Sequence, residues 1–196
     1  NDNNSGTTTA PFRTITKALQ MAQSGDTIYI DAGTYTEQVI IDTNNLALIG
    51  ADSVVTILDI HDSSAGGNKK GVYADAQVGL LIKNLQIRNY YRGIELNNID
   101  SSRIENAWVR YNNSGIHITN SDTNTLINNT SSNNDYGYFL DSSNDNILTN
   151  NISLSNNWTG FSLESSSNNR LTLHSALLID ALAEYSDSTK SVIGTP

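Results

Sequence analysis

The chain has 196 residues, a formal net charge of −9 and a sequence pI of about 4.5. This length suits one domain, and the acidic balance argues against nucleic acid or an anionic membrane surface as partner, because both select basic patches. The sequence contains no cysteine, which excludes disulfides and thiolate metal sites, and no segment approaches the roughly 18 apolar residues of a membrane span.

The first predicted element is a short amphipathic helix within residues 11–24. Its apolar stripe, at helical spacing, consists of Ile15, Ala18, Leu19 and Ala22. Thr14 is the predicted N-cap and Gly25 the predicted C-cap. A helix with one apolar face needs a surface to cover, and the open end of a stacked sheet is such a surface. We therefore expect this helix to cap the N-terminal end of a sheet.

Strand signals follow the helix directly. Short β-rich runs occupy residues 27–30, 39–41, 46–49 and 54–58, and glycine or paired asparagine residues separate them. Residues 61–70, which include His61, break the pattern and predict a long loop. Long loops on repeat proteins often lie at a binding face.

From Gly71 onward one phrase recurs about every 22 residues. The copies begin at Gly71, Gly93, Gly115, Gly137 and Gly160 and read Gly-Val-Tyr-Ala, Gly-Ile-Glu-Leu, Gly-Ile-His-Ile, Gly-Tyr-Phe-Leu and Gly-Phe-Ser-Leu. A period of this length is typical of a solenoid, in which each repeat buries its neighbour. The alternation within each phrase predicts a strand with one buried face.

Two further stripes recur with the same period. An apolar stripe comprises Ile82, Ile104, Leu126, Leu148 and Leu171. Two positions later an amide stripe comprises Asn84, Asn106, Asn128 and Asn150. Amides stacked at the spacing of neighbouring strands can form a hydrogen-bonded ladder, so the second stripe predicts an asparagine ladder buried inside the turns. The predicted domain is a single unit over 1–196, with coils over 27–175 and a C-terminal cap and tail over 176–196.

The opening of the chain carries a family resemblance. The segments Gly6-Thr-Thr-Thr-Ala-Pro-Phe-Arg, Gly25-Asp-Thr-Ile and Gly33-Thr-Tyr-Thr-Glu, with the Asn-rich repeats, resemble the right-handed parallel β-helix superfamily. That superfamily includes pectate-lyase-like proteins, carbohydrate-binding and sugar-hydrolase type repeat proteins, and nitrous-oxide-reductase accessory proteins. The resemblance covers roughly residues 6–175. It implies an all-β, right-handed parallel β-helix with an N-terminal capping α-helix, three short parallel sheets and a ligand groove along one of them.

The outward position of each repeat provides the candidate site. The residues two positions after each repeat glycine are Tyr73, Glu95, His117, Phe139 and Ser162, and neighbouring strands place them about 4.8 Å apart. Aromatic and cationic neighbours flank this row: Tyr91, Arg92, Tyr136 and Trp158. Aromatic rings can stack on sugars, so the predicted substrate-binding residues are Tyr73, Tyr91, Phe139, Tyr136 and Trp158.

Three functions fit this surface. The first is an extracellular or cell-surface module that recognises a polysaccharide, neutral or anionic, as part of a larger protein. The second is a polyuronate lyase or epimerase in which Arg92 neutralises the sugar carboxylate, Glu95 raises the pKa of His117, and His117 or Tyr73 moves the proton. The third is a structural spacer or adhesin repeat. The catalytic signatures of alginate epimerases, polygalacturonases and pectate lyases are not recognisable in the sequence.

The remaining expectations concern ligands and location. Asp135 and Asp141 are weak candidates for a Ca²⁺ site, because Ca²⁺ takes six to eight oxygen ligands, and no other cofactor is expected. His61, His117 and His174 lie in different contexts and predict no transition-metal centre. We expect a secreted protein (extracellular, periplasmic or at the cell surface) without membrane insertion or nucleic-acid binding, either a monomer or a domain of a larger chain.

Overall fold

The computed structural model describes residues 1–60, 68–173 and 191–194. His61 and most of the predicted long loop lie outside the described residues, as do His174 and the predicted cap over 176–185. One helix and twenty strands are described, in the order α1 (Ile15–Met21), β1 (Thr27–Ile30), β2 (Gly33–Tyr35), β3 (Val39–Ile41), β4 (Ala47–Gly50), β5 (Thr56–Asp59), β6 (Lys70–Asp75), β7 (Leu81–Lys83), β8 (Gln86–Arg88), β9 (Arg92–Asn97), β10 (Arg103–Glu105), β11 (Trp108–Arg110), β12 (Ser114–Thr119), β13 (Thr125–Ile127), β14 (Thr130–Ser132), β15 (Tyr136–Asp141), β16 (Ile147–Thr149), β17 (Ile152–Leu154), β18 (Thr159–Glu164), β19 (Arg170–Leu173) and β20 (Ser191–Gly194).

The strands form three parallel sheets wound into a right-handed β-helix, which confirms the predicted fold. Sheet 1 has the order β1-β4-β7-β10-β13-β16-β19-β20, sheet 2 the order β17-β14-β11-β8-β5-β2, and sheet 3 the order β18-β15-β12-β9-β6-β3. Each of the first six coils contributes one strand to each sheet, and β19 and β20 extend sheet 1. Equivalent residues of adjacent repeats pair in register, for example Ile94 with Ile116 and Ile116 with Tyr138.

The apolar stripes line the interior as predicted. Ile94, Ile116 and Tyr138 are fully buried in sheet 3, and Ile82 and Ile104 are buried in sheet 1. Tyr138 and Phe161 stack face to face inside the coil, with ring centroids 4.6 Å apart. The hydrophobic interior therefore runs along the helix axis as a continuous column rather than as a central globular core.

The capping helix is shorter than predicted. It spans Ile15–Met21 instead of residues 11–24, and its C-cap is Ala22 rather than Gly25. Thr14 is the N-cap, because its side chain accepts a hydrogen bond from the Lys17 N–H at 3.1 Å. The first free N–H groups are also bound by the Glu37 carboxylate, which ties the helix to the first coils. Ile15 and Leu19 are buried, so the helix closes the N-terminal end as expected.

The buried asparagine ladder exists, but not at the predicted positions. Asn84, Asn106, Asn128 and Asn150 lie at coil corners with φ between 52° and 59°, a left-handed conformation that asparagine tolerates well. The buried rows are Asn112-Asn134-Asn156, Asn129-Asn151 and Asn124-Asn146-Asn169. In each row the side-chain oxygen accepts from the backbone N–H of the previous coil, as Asn134 does from Asn112 at 2.9 Å. These amides satisfy backbone groups that the corners would otherwise leave buried and unpaired.

The C-terminal end continues sheet 1 over the residues described there. Ser191–Gly194 pair with β19 in parallel, from Arg170 opposite Ser191 to Leu173 opposite Gly194. Part of the predicted tail is therefore a strand. None of the helices among the described residues has the length and apolar character of a membrane span.

Candidate functional site

The outer face of sheet 3 carries the predicted row in register. Tyr73 lies beside Glu95, Glu95 beside His117, and His117 beside Phe139. In these strands the glycine and the apolar residue just before each outward residue are buried. A second row at the start of the same strands consists of Lys70, Arg92, Ser114, Tyr136 and Thr159. The two rows together define the candidate site, called here the sheet 3 face.

Aromatic rings form one half of the sheet 3 face. His117 stacks on Phe139 with ring centroids 4.7 Å apart and an interplanar angle of 17°. Tyr136 meets Phe139 edge-on at 5.5 Å and Trp158 edge-on at 5.1 Å. Trp158 is 60% exposed, so its indole is available to a ligand. These contacts join four rings across neighbouring coils into one aromatic cluster.

A charged cluster forms the other half. Glu95 Oε1 lies 2.9 Å from Arg92 Nη1 and 3.2 Å from Lys70 Nζ. The Lys70 ammonium also lies 3.9 Å above the ring of Tyr73, a cation–π contact, and Arg92 lies 5.8 Å from the ring of Tyr91. With one carboxylate against two cations, this cluster has a net charge of about +1 when all three groups are ionised.

The expected pairing of Glu95 with His117 is wrong. Glu95 turns toward Lys70 and Arg92, and the pKa of His117 is lowered to about 4 rather than raised. Burial is the main cause, since it disfavours the charged imidazolium, and the positive charges of Arg92 and Lys70 act in the same direction. His117 is therefore a neutral imidazole at pH 7.

The pKa of Tyr73 is shifted in the opposite direction to that of His117. Burial and the nearby carboxylates of Asp75 and Glu95 raise the pKa of its phenol, whose hydroxyl donates to Asp75 at 3.3 Å. Tyr73 is therefore protonated at neutral pH. The raised pKa makes the Tyr73 phenol a weaker acid, and the lowered pKa makes the His117 imidazole a weaker base, so neither shift favours proton transfer near neutral pH.

Two polar atoms of the sheet 3 face are buried without a hydrogen-bond partner. They are the second carboxylate oxygen of Glu95, Oε2, and the hydroxyl of Ser114. Glu95 is 6% exposed and Ser114 is 3% exposed. An unpaired buried polar group costs free energy. A hydrogen bond from a ligand or an ordered water to these atoms would remove that cost.

The two calcium candidates are not brought together. Asp141 ends strand β15 and Asp135 immediately precedes it, so the strand rise separates their Cα atoms by roughly 20 Å. Asp135 also accepts hydrogen bonds from the side chains of Asn113 and Asn157 at 2.7 and 2.8 Å. No group of three or more metal-ligating His, Cys, Asp or Glu side chains occurs within residues 1–60, 68–173 and 191–194.

Lys70 and Ser114 were not predicted as site residues. Both stand one position before a repeat glycine, as Arg92 and Tyr136 do. That shared spacing is the signal that could have identified them. Their roles depend on contacts between coils, such as Lys70 with Glu95, which the pattern within one repeat does not contain.

Solved structures with the same architecture belong to carbohydrate-active proteins. A pectin methylesterase from Yersinia enterocolitica is 16% identical, with a TM-score of 0.51, over 83% of this chain and 66% of its own. A rhamnogalacturonan lyase is 15% identical, with a TM-score of 0.55, over 100% of this chain and 58% of its own. The catalytic domain of a GH87 alpha-1,3-glucanase in complex with nigerose is 16% identical, with a TM-score of 0.53, over 82% and 36%.

These identities establish a shared fold alone. The chain spans between about a third and two-thirds of the length of each of these structures. No curated protein matches the chain significantly. A match over most of the sequence comes instead from a family described as "Periplasmic copper-binding protein (NosD)", which aligns with residues 19–177. Because this match covers well over half of the chain, the protein is a member of the NosD family.

Proposed function

We propose that this protein is a polysaccharide-recognising β-helix module that binds an acidic glycan on the sheet 3 face. The observation that carries the proposal is the continuity of the aromatic cluster with the charged cluster on one exposed surface. Rings stack on the apolar faces of sugars, and cations bind their carboxylates. The proposal assigns sugar stacking to Trp158, Tyr136 and Phe139, and carboxylate binding to Lys70 and Arg92.

The arrangement of the cations supports an acidic ligand. Lys70 and Arg92 share a single carboxylate oxygen of Glu95, so the Arg92 guanidinium and the Lys70 ammonium retain donors beyond that contact. They lie on the first two repeats of the site, while Tyr136 and Trp158 lie on later repeats. A chain that runs along the helix axis would meet the cations and the rings in succession.

The test is a binding titration with polygalacturonate oligomers. Trp158→Ala should weaken binding about tenfold, because an exposed ring that stacks on a ligand typically contributes one to two kcal/mol. Tyr29→Ala is the matched control, since Tyr29 is 77% exposed on sheet 1, away from the site. Equal affinities for wild type and Trp158→Ala would contradict the proposed surface, and no binding to a broad glycan set would favour a structural spacer.

A second candidate function is a polyuronate lyase or epimerase, which the placement of Tyr73, His117 and the two cations on one sheet face favours. In a lyase, His117 would take the proton α to the sugar carboxylate, the electron pair would form a carbon–carbon double bond, and the glycosidic oxygen would leave with a proton from Tyr73. Lys70 and Arg92 would stabilise the negative charge that develops on the carboxylate. Growing ultraviolet absorbance of unsaturated products would establish a lyase, and its absence in a sample that binds would exclude a lyase.

The family description agrees with the predicted location of the protein, but it also names a metal that the proposal does not include. It places the family in the periplasm, in agreement with the predicted export. It also names copper, for which the described residues offer a poor fit. His117 is the histidine among them, and the cations Lys70 and Arg92 that lower its pKa would also repel a metal ion. We therefore assign no copper-dependent step to this chain.

A further inference from the structure

We propose that Glu95 and Ser114 read a hydroxyl group of the bound sugar, so that the site selects an acidic glycan whose hydroxyls are free. The inference rests on the proposed function and adds a chemical requirement to it. Lys70 and Arg92 recognise the carboxylate, and Glu95 Oε2 recognises a hydroxyl beside it. The ligand class is thus an unsubstituted uronic acid residue rather than any anion.

The two carboxylate oxygens of Glu95 have different surroundings. Oε1 accepts from both cations, at 2.9 Å from Arg92 and 3.2 Å from Lys70, whereas Oε2 has no partner although its side chain is only 8% exposed. An ionised carboxylate oxygen without a donor is costly in such a position. The ion pairs hold the carboxylate in place, so Oε2 is presented in a defined position.

Ser114 lies on the adjacent strand of the same face. It pairs in register with Arg92 on one side and Tyr136 on the other, and it is 3% exposed. Its hydroxyl can donate or accept and currently does neither. Two orphaned oxygens thus lie on neighbouring strands, between the charged and the aromatic clusters.

The charges around these two oxygens restrict which chemical group can bind them. An anionic group cannot hydrogen-bond to Glu95 Oε2, because both are acceptors. A metal cation would be repelled by Lys70 and Arg92, which already hold the same carboxylate. A neutral O–H donor satisfies Oε2 without either penalty, and a sugar hydroxyl next to a carboxylate also reaches the cations.

The experiment compares polygalacturonate oligomers with the same oligomers after O-acetylation, which blocks the hydroxyls and keeps the carboxylates. Wild type should bind the free form about tenfold more tightly, as expected for a hydrogen bond to a charged acceptor. Glu95→Gln should reduce this preference, because a neutral amide oxygen accepts a weaker hydrogen bond than a carboxylate does. The loss of negative charge in this variant raises affinity for both oligomers alike and cancels in the ratio.

Two variants complete the test. Glu164→Gln removes the same charge from an exposed position at the far end of the sheet 3 face and should keep the wild-type preference. Ser114→Ala leaves the ion pairs of Glu95 intact and should lower the preference in part, which keeps the test valid if Glu95→Gln fails to fold. A wild type that binds both oligomers equally overturns the inference alone, and so does a Glu95→Gln protein that keeps the tenfold preference. A wild type that binds neither overturns the proposed function as well.

Discussion

His117 shows how one position of a repeat acquires its chemistry from its neighbours along the helix axis. Its own strand places it outward, Phe139 of the next coil covers one ring face, and burial together with the cations of earlier coils holds it neutral. The same residue on an isolated strand would titrate near its ordinary value of about 6.5. The lowered pKa is therefore a property of the stack of coils.

The lowered pKa predicts a pH-dependent stability. The unfolded chain binds a proton at His117 below about pH 6.5, whereas the folded chain does so only below about pH 4. The stability that the neutral ring provides is present above pH 6.5 and is lost as the pH falls toward 4. Partial exposure of the ring reduces the effect to about 1–2 kcal/mol.

Urea denaturation of wild type and His117→Gln at pH 7 and pH 4.5 measures this effect. Carboxylates titrate over the same pH range in both proteins, so their contributions to the free energy of unfolding cancel in the comparison. Wild type should lose more stability than the variant between the two pH values. If the two proteins lose the same free energy of unfolding, the burial of His117 is contradicted.

The buried asparagines predict a second effect at the residue scale. Asn134 accepts from the Asn112 N–H at 2.9 Å and donates to the Val109 carbonyl at 3.2 Å, within a 1% exposed side chain. Asn134→Ala removes the acceptor of the buried Asn112 N–H, together with the amide's other buried hydrogen bonds, and should destabilise the protein by about 2–4 kcal/mol. Asn157→Ala, at an exposed position, is the control and should cost less than about 1 kcal/mol. Thermal unfolding of both variants distinguishes a buried ladder from a merely asparagine-rich surface.

At the scale of the element, the repeated glycine has a steric cause. A Cβ atom at Gly93 would lie 2.8 Å from the carbonyl oxygen of Gly115, and one at Gly115 would lie 2.6 Å from that of Gly137. Each glycine thus lets the next coil approach closely. The recurring phrase reflects the distance between stacked strands rather than an unusual backbone dihedral angle.

Gly115→Ala should therefore destabilise the protein by at least about 1–3 kcal/mol, the usual cost of an inserted methyl group in a packed interior. One obstructing atom is the backbone oxygen of Gly137, which cannot move aside without shifting a whole coil, and the others belong to the buried side chains of Ser131 and Asn134. Thr119→Ala in the same strand, at a half-buried outward position, is the control and should cost well below that. A Gly115→Ala protein as stable as wild type would contradict the close stacking.

The register of β12 predicts a contrast between two adjacent residues. Ile116 is fully buried, whereas His117 points outward. Ile116→Asp should prevent folding, because it buries a carboxylate among apolar side chains, while His117→Ala should leave stability at pH 7 nearly unchanged. Thermal midpoints of the two variants measure the contrast, and equal midpoints would show that the register is wrong.

At the scale of the whole molecule, the period of about 22 residues was sufficient to predict the parallel coils, the buried stripes and the outward row. Such information is local and repeated, so every copy supports the others. The asparagine ladder was predicted one position or more from its true place, because the amides at the corners and inside the coil recur with the same period. Only the backbone conformation separates the left-handed corner Asn128 from the buried Asn129.

The candidate site was predicted less completely. The sequence places Tyr73, Glu95, His117 and Phe139 in one row, but it does not show which neighbour each side chain turns to. Glu95 pairs with Lys70 across 25 positions of sequence, a contact set by the rotamer and by competition between charges. The burial of His117 and the cations near it gave its pKa shift the opposite sign to the predicted one, and Lys70 was missed because its contact lies between coils.

Hydroxyl-radical footprinting of the aromatic residues, with and without polygalacturonate oligomers, tests most directly whether a glycan binds on the sheet 3 face. Trp158 and Tyr29 are 60% and 77% exposed, so both should be oxidised in the free protein. Binding on the sheet 3 face should protect Trp158 and Tyr136 from oxidation and leave the oxidation of Tyr29 unchanged. Oxidation of Trp158 and Tyr136 that stays the same at saturating glycan, or protection confined to Tyr29, would contradict binding on the sheet 3 face.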